Sequence, residues 1–239
     1  MKKININKLI SQRSNYSRRQ AENLVRQGLV STKERIIQLG EEFNPQEEIF
    51  VKGKKLATKK EENLYLKLNK PPGYTCTRKS FIKEKNIFSL LPFQEKLFIM
   101  GRLDKNSRGL VILSNDGDLI HKITHPSFAQ QKKYLVKLAP DKRLENISWL
   151  KKIKKHFKIG ISIQEKNLAR ADDIKYLGQN QFQIILSQGQ KRQIRKMFEF
   201  FNFQVIDLQR IEIAGVKLEN LKEGNWKYLN LKELNLLKS

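Results

Sequence analysis

One polar segment of the sequence places a carboxylate between two basic residues, directly before an apolar run. The segment is Gly101-Arg102-Leu103-Asp104-Lys105-Asn106-Ser107-Arg108, and the run is Gly109-Leu110-Val111-Ile112-Leu113. A loop at the end of a buried strand is a frequent location for reactive groups, because the strand holds the loop in place. An ionised Asp104 in such a loop can act as a nucleophile or as a general base. The structural alternative for this aspartate is a cap or a salt bridge.

Metal and cofactor chemistry has little support in the sequence. Cys76 is the single cysteine, which excludes an internal disulfide and a multi-cysteine zinc site. His121 and His125 are spaced as i, i+4, but the glutamate of an H-E-x-x-H zinc motif is missing. The chain also contains no P-loop and no glycine-rich dinucleotide motif. We therefore expect neither a metal nor another cofactor.

Hydrophobic patterns after about residue 61 predict the elements that position Asp104. Asn69-Lys70-Pro71-Pro72-Gly73 predicts a turn, because its prolines cannot continue a strand. Short strands and a few helices in irregular order favour an α+β fold, with a mixed, mainly antiparallel sheet flanked by helices. From apolar periodicity, the predicted strands are 64–68, 109–113, 134–138 and 181–187, and the predicted helices are 118–124, 145–157 and 193–201.

Residues 1–60 are predicted to form a separate small αβ module that ends in a lysine-rich linker, 52–60. Ser17 with Gln20 three residues later predicts a capping box, and Gly28 predicts the end of the helix that this box begins. A shorter helix is predicted at 7–12, and short strands are predicted at 29–30, 36–37 and 49–51. The two predicted domains are 1–60 and 61–239.

The net charge favours a polyanionic partner. The chain carries 48 Lys+Arg against 24 Asp+Glu, a formal net charge of +24, and both predicted domains are basic. A surface this basic attracts nucleic acid, although a lysine-rich coding bias is an alternative source of the excess. No apolar run approaches the roughly 20 residues of a membrane helix, and the basic start leads into no apolar signal segment. We expect a cytoplasmic monomer with a nucleic-acid partner.

Six strings within residues 63–230 resemble, in order and spacing, the motifs of RNA pseudouridine synthases of the RsuA/RluB/RluF branch. Gly101-Arg102-Leu103-Asp104 is similar to the G-R-L-D signature of these enzymes. The other five are Asn69-Lys70-Pro71-Pro72-Gly73 (N-K-P-x-G), Leu113-Ser114-Asn115-Asp116-Gly117 (L-T-N-D-G), Lys133-Tyr134-Leu135-Val136 (loosely K-x-Y-x-V), Gln188–Phe198 (x-G-x-x-R-Q-[IV]-R-[RK]-M) and Leu221–Trp226 (L-x-x-G-x-W). The resemblance implies a pseudouridine synthase core that isomerises uridine in RNA, a reaction that requires no cofactor.

Residues 4–53 resemble the small RNA-binding module that precedes the core in this branch. The module also occurs in a small-subunit ribosomal protein and in tyrosyl-tRNA synthetases. Tyr16-Ser17-Arg18-Arg19-Gln20-Ala21 is close to its S-R-R-x-A string. The V-N-G hairpin turn of the module is absent, and Ser31-Thr32-Lys33-Glu34-Arg35 stands in its place. The resemblance therefore implies an intact RNA-facing helix beside a different loop.

The resemblance also implies three catalytic residues. Asp104 acts on the ribose, either by attack at C1′ or by removal of a C2′ proton to give a glycal. Arg195 holds this carboxylate ionised through a bidentate contact, and a solvated helix charge is the alternative for Arg195. Tyr134 stacks on the flipped uracil and helps to remove the C5 proton, and a core tyrosine is the alternative for Tyr134.

Eight further basic residues are candidate RNA contacts. Each taken alone has the ordinary surface charge as its alternative, and the set gains weight because phosphate contacts add together. They are Arg102, Lys105, Lys191, Arg192 and Arg210 in the larger domain and Lys8, Arg18 and Arg19 in the N-terminal module.

The resulting prediction is an RNA pseudouridine synthase that acts on ribosomal RNA. Much of the branch has threonine at the position of Ser107. The serine here is similar to RluF-type members and favours large-subunit RNA. Small-subunit RNA and tRNA stay open. One alternative is an inactive RNA-binding ribosome-assembly factor. Such a factor would be free to lose the three catalytic residues, so their presence argues against it. Another is a hydrolase, which usually needs a second carboxylate, for which Asp116 and Asp118 are available.

Overall fold

The chain forms two compact units, Met1–Glu62 and Asn63–Ser239. The computed structural model describes residues 3–58, 62–77, 84–92, 96–124, 129–163 and 167–238, apart from the side chains of residues 122 and 124. No described helix combines the length and the apolar composition required to cross a membrane.

The N-terminal unit combines two short helices with two small sheets. The helices are α1 (Ile6–Arg13) and α2 (Arg18–Arg26), and the strands are β1 (Ile4–Asn5), β2 (Val30–Ser31), β3 (Glu42–Phe43), β4 (Phe50–Val51) and β5 (Lys54–Lys55). β1 pairs with β3, and β4 pairs with both β2 and β5. Because β5 belongs to this sheet, part of the predicted linker 52–60 is a strand.

The predicted capping box is present at the start of α2. The Gln20 backbone N–H donates to the Ser17 hydroxyl at 3.2 Å, and the Gln20 side-chain oxygen accepts from the Ser17 N–H at 2.8 Å. The apolar residues Ala21, Leu24 and Val25 of this helix are buried in the core of the unit, and Gly28 follows the helix with φ +69°. The amphipathic pattern and the two end signals therefore predicted this helix correctly.

The C-terminal unit is built on one large sheet. Its strands are β6 (Tyr65–Lys70), β7 (Phe98–Met100), β8 (Arg108–Ser114), β9 (Lys132–Leu138), β10 (Asp173–Gly178), β11 (Gln181–Leu186), β12 (Val205–Ile213), β13 (Val216–Lys217) and β14 (Trp226–Tyr228). Its helices are α3 (Gly117–Thr124), α4 (Ile147–Ile159), α5 (Gln193–Glu199) and α6 (Leu231–Lys238). Short 3-10 helices cover Ile87–Leu90 and Lys142–Glu145.

The sheet is mixed and mainly antiparallel, as the sequence predicted. Its described strands run in the order β10-β11-β9-β12-β8-β6-β14, with β13 paired to β12 and β7 paired to β8. β8 and β12 pair in parallel, and the other described pairs are antiparallel. The parallel pair brings the polar segment before β8 next to β12.

Two hydrophobic clusters cover the two faces of this sheet. Val111 and Leu113 of β8 belong to the larger cluster, whereas Leu110 and Ile112 belong to the smaller one, as the alternation of a strand requires. Helices α4 and α5 contribute buried residues to the larger cluster, and α3 and α6 contribute to the smaller one. The sheet is therefore covered by helices on both faces.

Several local predictions differ from the structure. Asn69 and Lys70 were predicted in a turn, but they are the last residues of β6. A helix was predicted from residue 145, but α4 begins at Ile147, which is 67% exposed. Strands β7, β10, β12, β13 and β14 and helix α6 were not predicted. Strand β7 is a run of only three apolar residues. In the other elements charged residues interrupt the apolar positions, and several of them form ion pairs in the folded chain.

Candidate active site

Five residues on neighbouring strands form one cross-strand row, which sets the geometry of the site. Lys70 on β6 is the register partner of Gly109 on β8, and Gly109 is the partner of Arg210 on β12. Arg210 is in turn the partner of Tyr134 on β9, and Tyr134 is the partner of Ile184 on β11. Register partners project their side chains to the same face of a sheet. The row therefore places two basic side chains and one tyrosine on the face of the larger cluster.

Gly109 allows the two parallel strands to approach within this row. Its φ is +106°, a conformation that residues with a side chain rarely adopt. A Cβ atom at this position would lie 2.3 Å from the backbone oxygen of Arg210 and 2.7 Å from its backbone nitrogen. The close approach of β8 and β12 therefore requires glycine.

Arg210 holds the beginning of the segment that contains Asp104. Residues 101–107 are named the Asp104 loop from here on. The Arg210 Nε donates to the Leu110 carbonyl at 2.8 Å, and its Nη2 donates to the Gly101 carbonyl at 2.6 Å. Arg210 is 1% exposed, so both bonds are shielded from water. The guanidinium thus ties the first residue of the Asp104 loop to β8.

Lys70 holds the other half of the Asp104 loop. Its Nζ donates to the carbonyls of Lys105 at 3.0 Å, Ser107 at 2.6 Å and Pro71 at 2.9 Å. These three bonds use all three N–H groups of the ammonium. Lys70 is 0% exposed, and this burial lowers its pKa to about 8, against the opposing effect of the Asp104 charge. The Lys70 ammonium group can be buried because the three carbonyls accept the hydrogen bonds that water would otherwise accept.

Arg195, on α5, makes a third contact to the Asp104 loop. Its Nη2 donates to the Asn106 carbonyl at 3.3 Å, and its Nη1 donates to the Val205 carbonyl at 2.9 Å. Its Nε is buried and has no partner among the described residues. Desolvation lowers the pKa of Arg195, and the charge of Asp104 acts in the opposite direction. Three basic side chains therefore hold this loop through its backbone carbonyls.

Asp104 is half-buried in the middle of this loop. Its backbone carbonyl accepts from the Ser107 N–H at 3.1 Å, which closes a turn. Within the described ranges its carboxylate makes no ion pair at 4.0 Å or less. The bidentate Arg195–Asp104 contact that we predicted is therefore not formed, and the terminal nitrogens of Arg195 donate to the Val205 and Asn106 carbonyls instead. Arg195 and Lys70 act on Asp104 through their charge.

Tyr134 lies on the same face of the sheet and is linked to the loop through Arg210. It is 8% exposed and belongs to the same hydrophobic cluster as Leu103, the residue before Asp104. Its register partner Arg210 is the residue that holds Gly101. Arg195 therefore contacts the Asp104 loop directly, whereas Tyr134 is connected to it through its strand partner.

The structure corrects one predicted RNA contact. Arg210 was predicted to contact RNA, but its side chain is buried and both of its hydrogen bonds go to backbone carbonyls. An arginine with this burial positions the Asp104 loop instead.

The other predicted RNA contacts of the larger unit lie at the surface. Arg102, Lys105, Lys191 and Arg192 are exposed. Lys105 makes an ion pair with Glu84 at 2.9 Å, and Arg192 makes a longer one with Glu199 at 3.8 Å. A cavity of about 530 Å³ lies beside Arg195 and is lined by Arg192, Arg195, Glu199, Asn202, Phe203, Gln204 and Val205.

The predicted contacts of the N-terminal unit lie on its two helices. Arg18 and Arg19 are exposed in the first turn of α2, and Lys8 is half-buried on α1. Arg18 and Arg19 therefore lie on the exposed side of α2, opposite its buried residues. Ser31–Arg35, where the V-N-G turn was missing, is closed by a hydrogen bond from the Thr32 N–H to the Arg35 carbonyl at 2.9 Å.

Two lysines of the site were not predicted as functional residues. Lys70 belongs to the Asn69–Gly73 string, which was predicted to form a turn. Its pairing with Gly109 on β8 instead places its side chain beneath the Asp104 loop. Lys132 lies two residues before Tyr134 on β9. Lys132-Lys133-Tyr134-Leu135-Val136 fits K-x-Y-x-V with the full spacing, so the looser match that begins at Lys133 missed the lysine of that motif.

The residues suited to bind metals do not cluster in the described part of the chain. No group of three or more His, Cys, Asp or Glu residues there is arranged to hold an ion. Of the His121–His125 pair, His125 lies outside the described residues.

Comparisons with known proteins agree with this geometry. The family model described as RNA pseudouridylate synthase matches residues 64–200. Those residues contain the Asp104 loop, Tyr134 and Arg195. A crystal structure described as a pseudouridylate synthase is similar with a TM-score of 0.68 at 28% identity, covering 98% of this chain and 99% of the other.

Curated relatives match over most of the chain. An uncharacterized RNA pseudouridine synthase of Aquifex aeolicus is 30% identical over 207 residues, which cover 85% of this chain and 82% of the relative. The dual-specificity RNA pseudouridine synthase RluF of Escherichia coli is 32% identical over 206 residues, which cover 84% and 67%. The ribosomal large subunit pseudouridine synthase B of Vibrio cholerae is 28% identical over 204 residues, which cover 81% and 61%. The chain therefore belongs to the RNA pseudouridine synthase family.

Proposed function

We propose that this protein converts one specific uridine of ribosomal RNA to pseudouridine, with Asp104 as the residue that acts on the ribose. The observation that carries the proposal is the way the Asp104 loop is held. The backbone carbonyls of the loop accept hydrogen bonds from the side chains of Arg210, Lys70 and Arg195. The Asp104 carboxylate has no ion-pair partner among the described residues. A nucleophile or general base requires a carboxylate that is held in position and is not engaged in an ion pair.

Two cations lie near the Asp104 carboxylate, since Lys70 and Arg195 are both close enough to interact with its charge. The ionised group can bond to C1′ as the N1–C1′ bond breaks, or it can remove the C2′ proton to give a glycal. In both routes uracil takes the electron pair of the broken bond, rotates, and bonds to C1′ through C5. In the first route the bond between C1′ and Asp104 breaks as the C5 bond forms, and in the second the proton returns from Asp104 to C2′ of the glycal. C5 then loses its proton and N1 takes one up, so the product is an isomer of the substrate.

Tyr134 and Arg195 have supporting roles in this proposal. The target base must leave its stack, which costs a few kcal/mol. Stacking on an aromatic ring returns about 1–3 kcal/mol, and Tyr134 is the aromatic residue of the cross-strand row. Arg195 positions Asp104 through the Asn106 carbonyl and adds positive charge to the site.

The proposed substrate is large-subunit ribosomal RNA, bound by a monomeric protein in the cytoplasm. The names of two relatives support this choice, since one is a ribosomal large subunit pseudouridine synthase and another is the dual-specificity enzyme RluF. The net charge of +24 and the exposed basic residues Arg102, Lys191 and Arg192 suit a polyanion. The proposed role of the N-terminal unit is to bind the same RNA through α2.

A tritium-release assay tests the reaction. Ribosomal RNA labelled with tritium at uridine C5 is incubated with the protein, and tritium in water is counted. Wild type and Asp118→Asn are expected to release tritium, whereas Asp104→Asn is expected to release none. Asp118 is a matched control because it is another aspartate of this unit, exposed at the start of α3.

The same assay separates the alternatives. Tight RNA binding without tritium release by the wild type would identify an RNA-binding assembly factor. Free uracil in solution would identify a hydrolase. Mapping pseudouridine in ribosomal RNA from a strain that lacks the gene identifies the modified position, and a missing modification in small-subunit RNA or tRNA would contradict the proposed substrate.

A further inference from the structure

Lys132 is a basic residue of the site that the mechanism above does not use. It begins β9 and lies two residues before Tyr134, so both side chains project to the same face of the sheet. Its Nζ donates to the Gln130 carbonyl at 2.7 Å and to the Ser187 carbonyl at 3.4 Å. Within the described part of the chain it makes no ion pair with a carboxylate, and one of its three N–H groups remains available.

The surroundings of Lys132 connect it to the Asp104 loop. A Cβ atom placed on Gly101 would lie 4.0 Å from the Lys132 Cε and 3.4 Å from the Arg210 Nη1. Two basic side chains therefore meet at the first residue of the loop. Desolvation lowers the pKa of Lys132 to about 8, the charge of Arg210 lowers it further, and Asp172 acts in the opposite direction. Asp172 is itself engaged, since it accepts a hydrogen bond from the Ser187 hydroxyl at 2.6 Å.

Lys132 is half-buried and Arg210 is buried, and little negative charge opposes them. The space beside these two cations therefore favours an anion. The proposed reaction produces one. When the N1–C1′ bond breaks, the electron pair stays on the uracil ring and is shared by N1 and the carbonyl oxygens. A cation fixed beside the ring stabilises this charge more in the transition state than in the bound substrate, and that difference accelerates the step.

We propose that Lys132 is a further catalytic residue, whose ammonium group donates a hydrogen bond to a carbonyl oxygen of uracil as the ring becomes an anion. The proposal rests on the proposed function, because it requires uracil to lie against Tyr134 on the same face of β9. Arg210 remains a positioning residue, since both of its hydrogen bonds hold the protein backbone.

Lys133 offers a matched control within the same strand. It lies on the opposite face of β9 and makes an ion pair with Glu212 at 3.0 Å. Lys132→Met, Lys132→Arg and Lys133→Met are prepared in the full chain, and their melting temperatures are compared with wild type. Methionine keeps the stem of lysine and removes the charge, so the variant avoids the cost of a desolvated ammonium.

The measurement is the single-turnover rate of tritium release, with enzyme in excess over C5-tritiated RNA, together with the dissociation constant for that RNA. Lys132→Met is expected to lower the rate about 100-fold, as for the loss of one donor to a developing anion, while the dissociation constant changes less than about threefold. Lys132→Arg is expected to release tritium at least about tenfold faster than Lys132→Met. Lys133→Met is expected to match wild type.

A leaving-group test distinguishes chemistry from folding. When the target is 4-thiouridine, whose ring anion is more stable, the difference between wild type and Lys132→Met is expected to become smaller. A merely structural role would leave that ratio unchanged and would overturn the proposal. A rise of tenfold or more in the dissociation constant at an unchanged single-turnover rate would show a phosphate contact instead. If wild type releases no tritium, the proposed function fails together with this inference, whereas equal rates for wild type and Lys132→Met overturn this inference alone.

Discussion

Replacing Gly109 with alanine is expected to destabilise the C-terminal unit and to impair catalysis together. The new methyl group would lie 2.3 Å from the Arg210 carbonyl oxygen, at a φ of +106°. Because the opposing atoms belong to the backbone, no side-chain rotation relieves the overlap. The strands β8 and β12 must separate, and the separation shifts the row that supports the Asp104 loop.

The size of the effect follows from two costs. A residue with a side chain in such a backbone conformation costs about 1–3 kcal/mol, and an overpacked contact that moves the backbone costs about a further 1–3 kcal/mol. Gly178→Ala is the matched control, since Gly178 has φ +88° and no atom lies within 4 Å of the position that its new methyl group would occupy. It therefore carries the first cost alone. For a chain of this length, 1 kcal/mol corresponds to roughly 2–4 °C in Tm.

The assay compares thermal melting and tritium release for both variants. Gly109→Ala is expected to melt at least about 3 °C below Gly178→Ala and to lose about 10-fold or more in the single-turnover rate, because small displacements of a reacting group are costly. Gly178→Ala is expected to keep the wild-type rate. Equal melting temperatures and equal rates for the two variants would refute the argument that close approach at the row requires glycine.

Three other outcomes are expected. Lys67 is 0% exposed and donates to Glu233 at 2.5 Å. Lys67→Met leaves that buried carboxylate without its ion-pair partner, so urea unfolding should show a loss of about 3–5 kcal/mol, most of which a second substitution, Glu233→Leu, should restore. Burial raises the pKa of the Cys76 thiol, so a thiol reagent at pH 8 should react many times faster in urea than with the folded chain, and equal rates would contradict the burial. Burial lowers the pKa of Lys70 and Lys132 to about 8, below the 10.5 of an unfolded lysine. The unfolded state therefore binds more protons between pH 8 and 10.5, and the free energy of unfolding should rise with pH across that window, with a smaller slope in Lys132→Met.

Local features of the fold were predictable because they depend on neighbouring residues. The capping box of Ser17 and Gln20 defines the start of α2 from four consecutive positions. The continuous apolar run of 109–113 and the helical spacing of 194–198 similarly identified β8 and α5. The α+β class and the mainly antiparallel sheet are confirmed for the same reason, since each element carries its own periodicity.

The sequence by itself determined which residues are proposed to carry the chemistry, because Asp104, Tyr134 and Arg195 are each recognisable from the motif residues beside them. Only the tertiary structure decided how the Asp104 loop is held. Arg210 and Gly109 are about one hundred positions apart, yet their register places a surface-type side chain in the core, where it holds Gly101. Such burial depends on carbonyls supplied by a distant loop, and the pattern of polar and apolar residues around a single arginine or lysine contains no information about those partners.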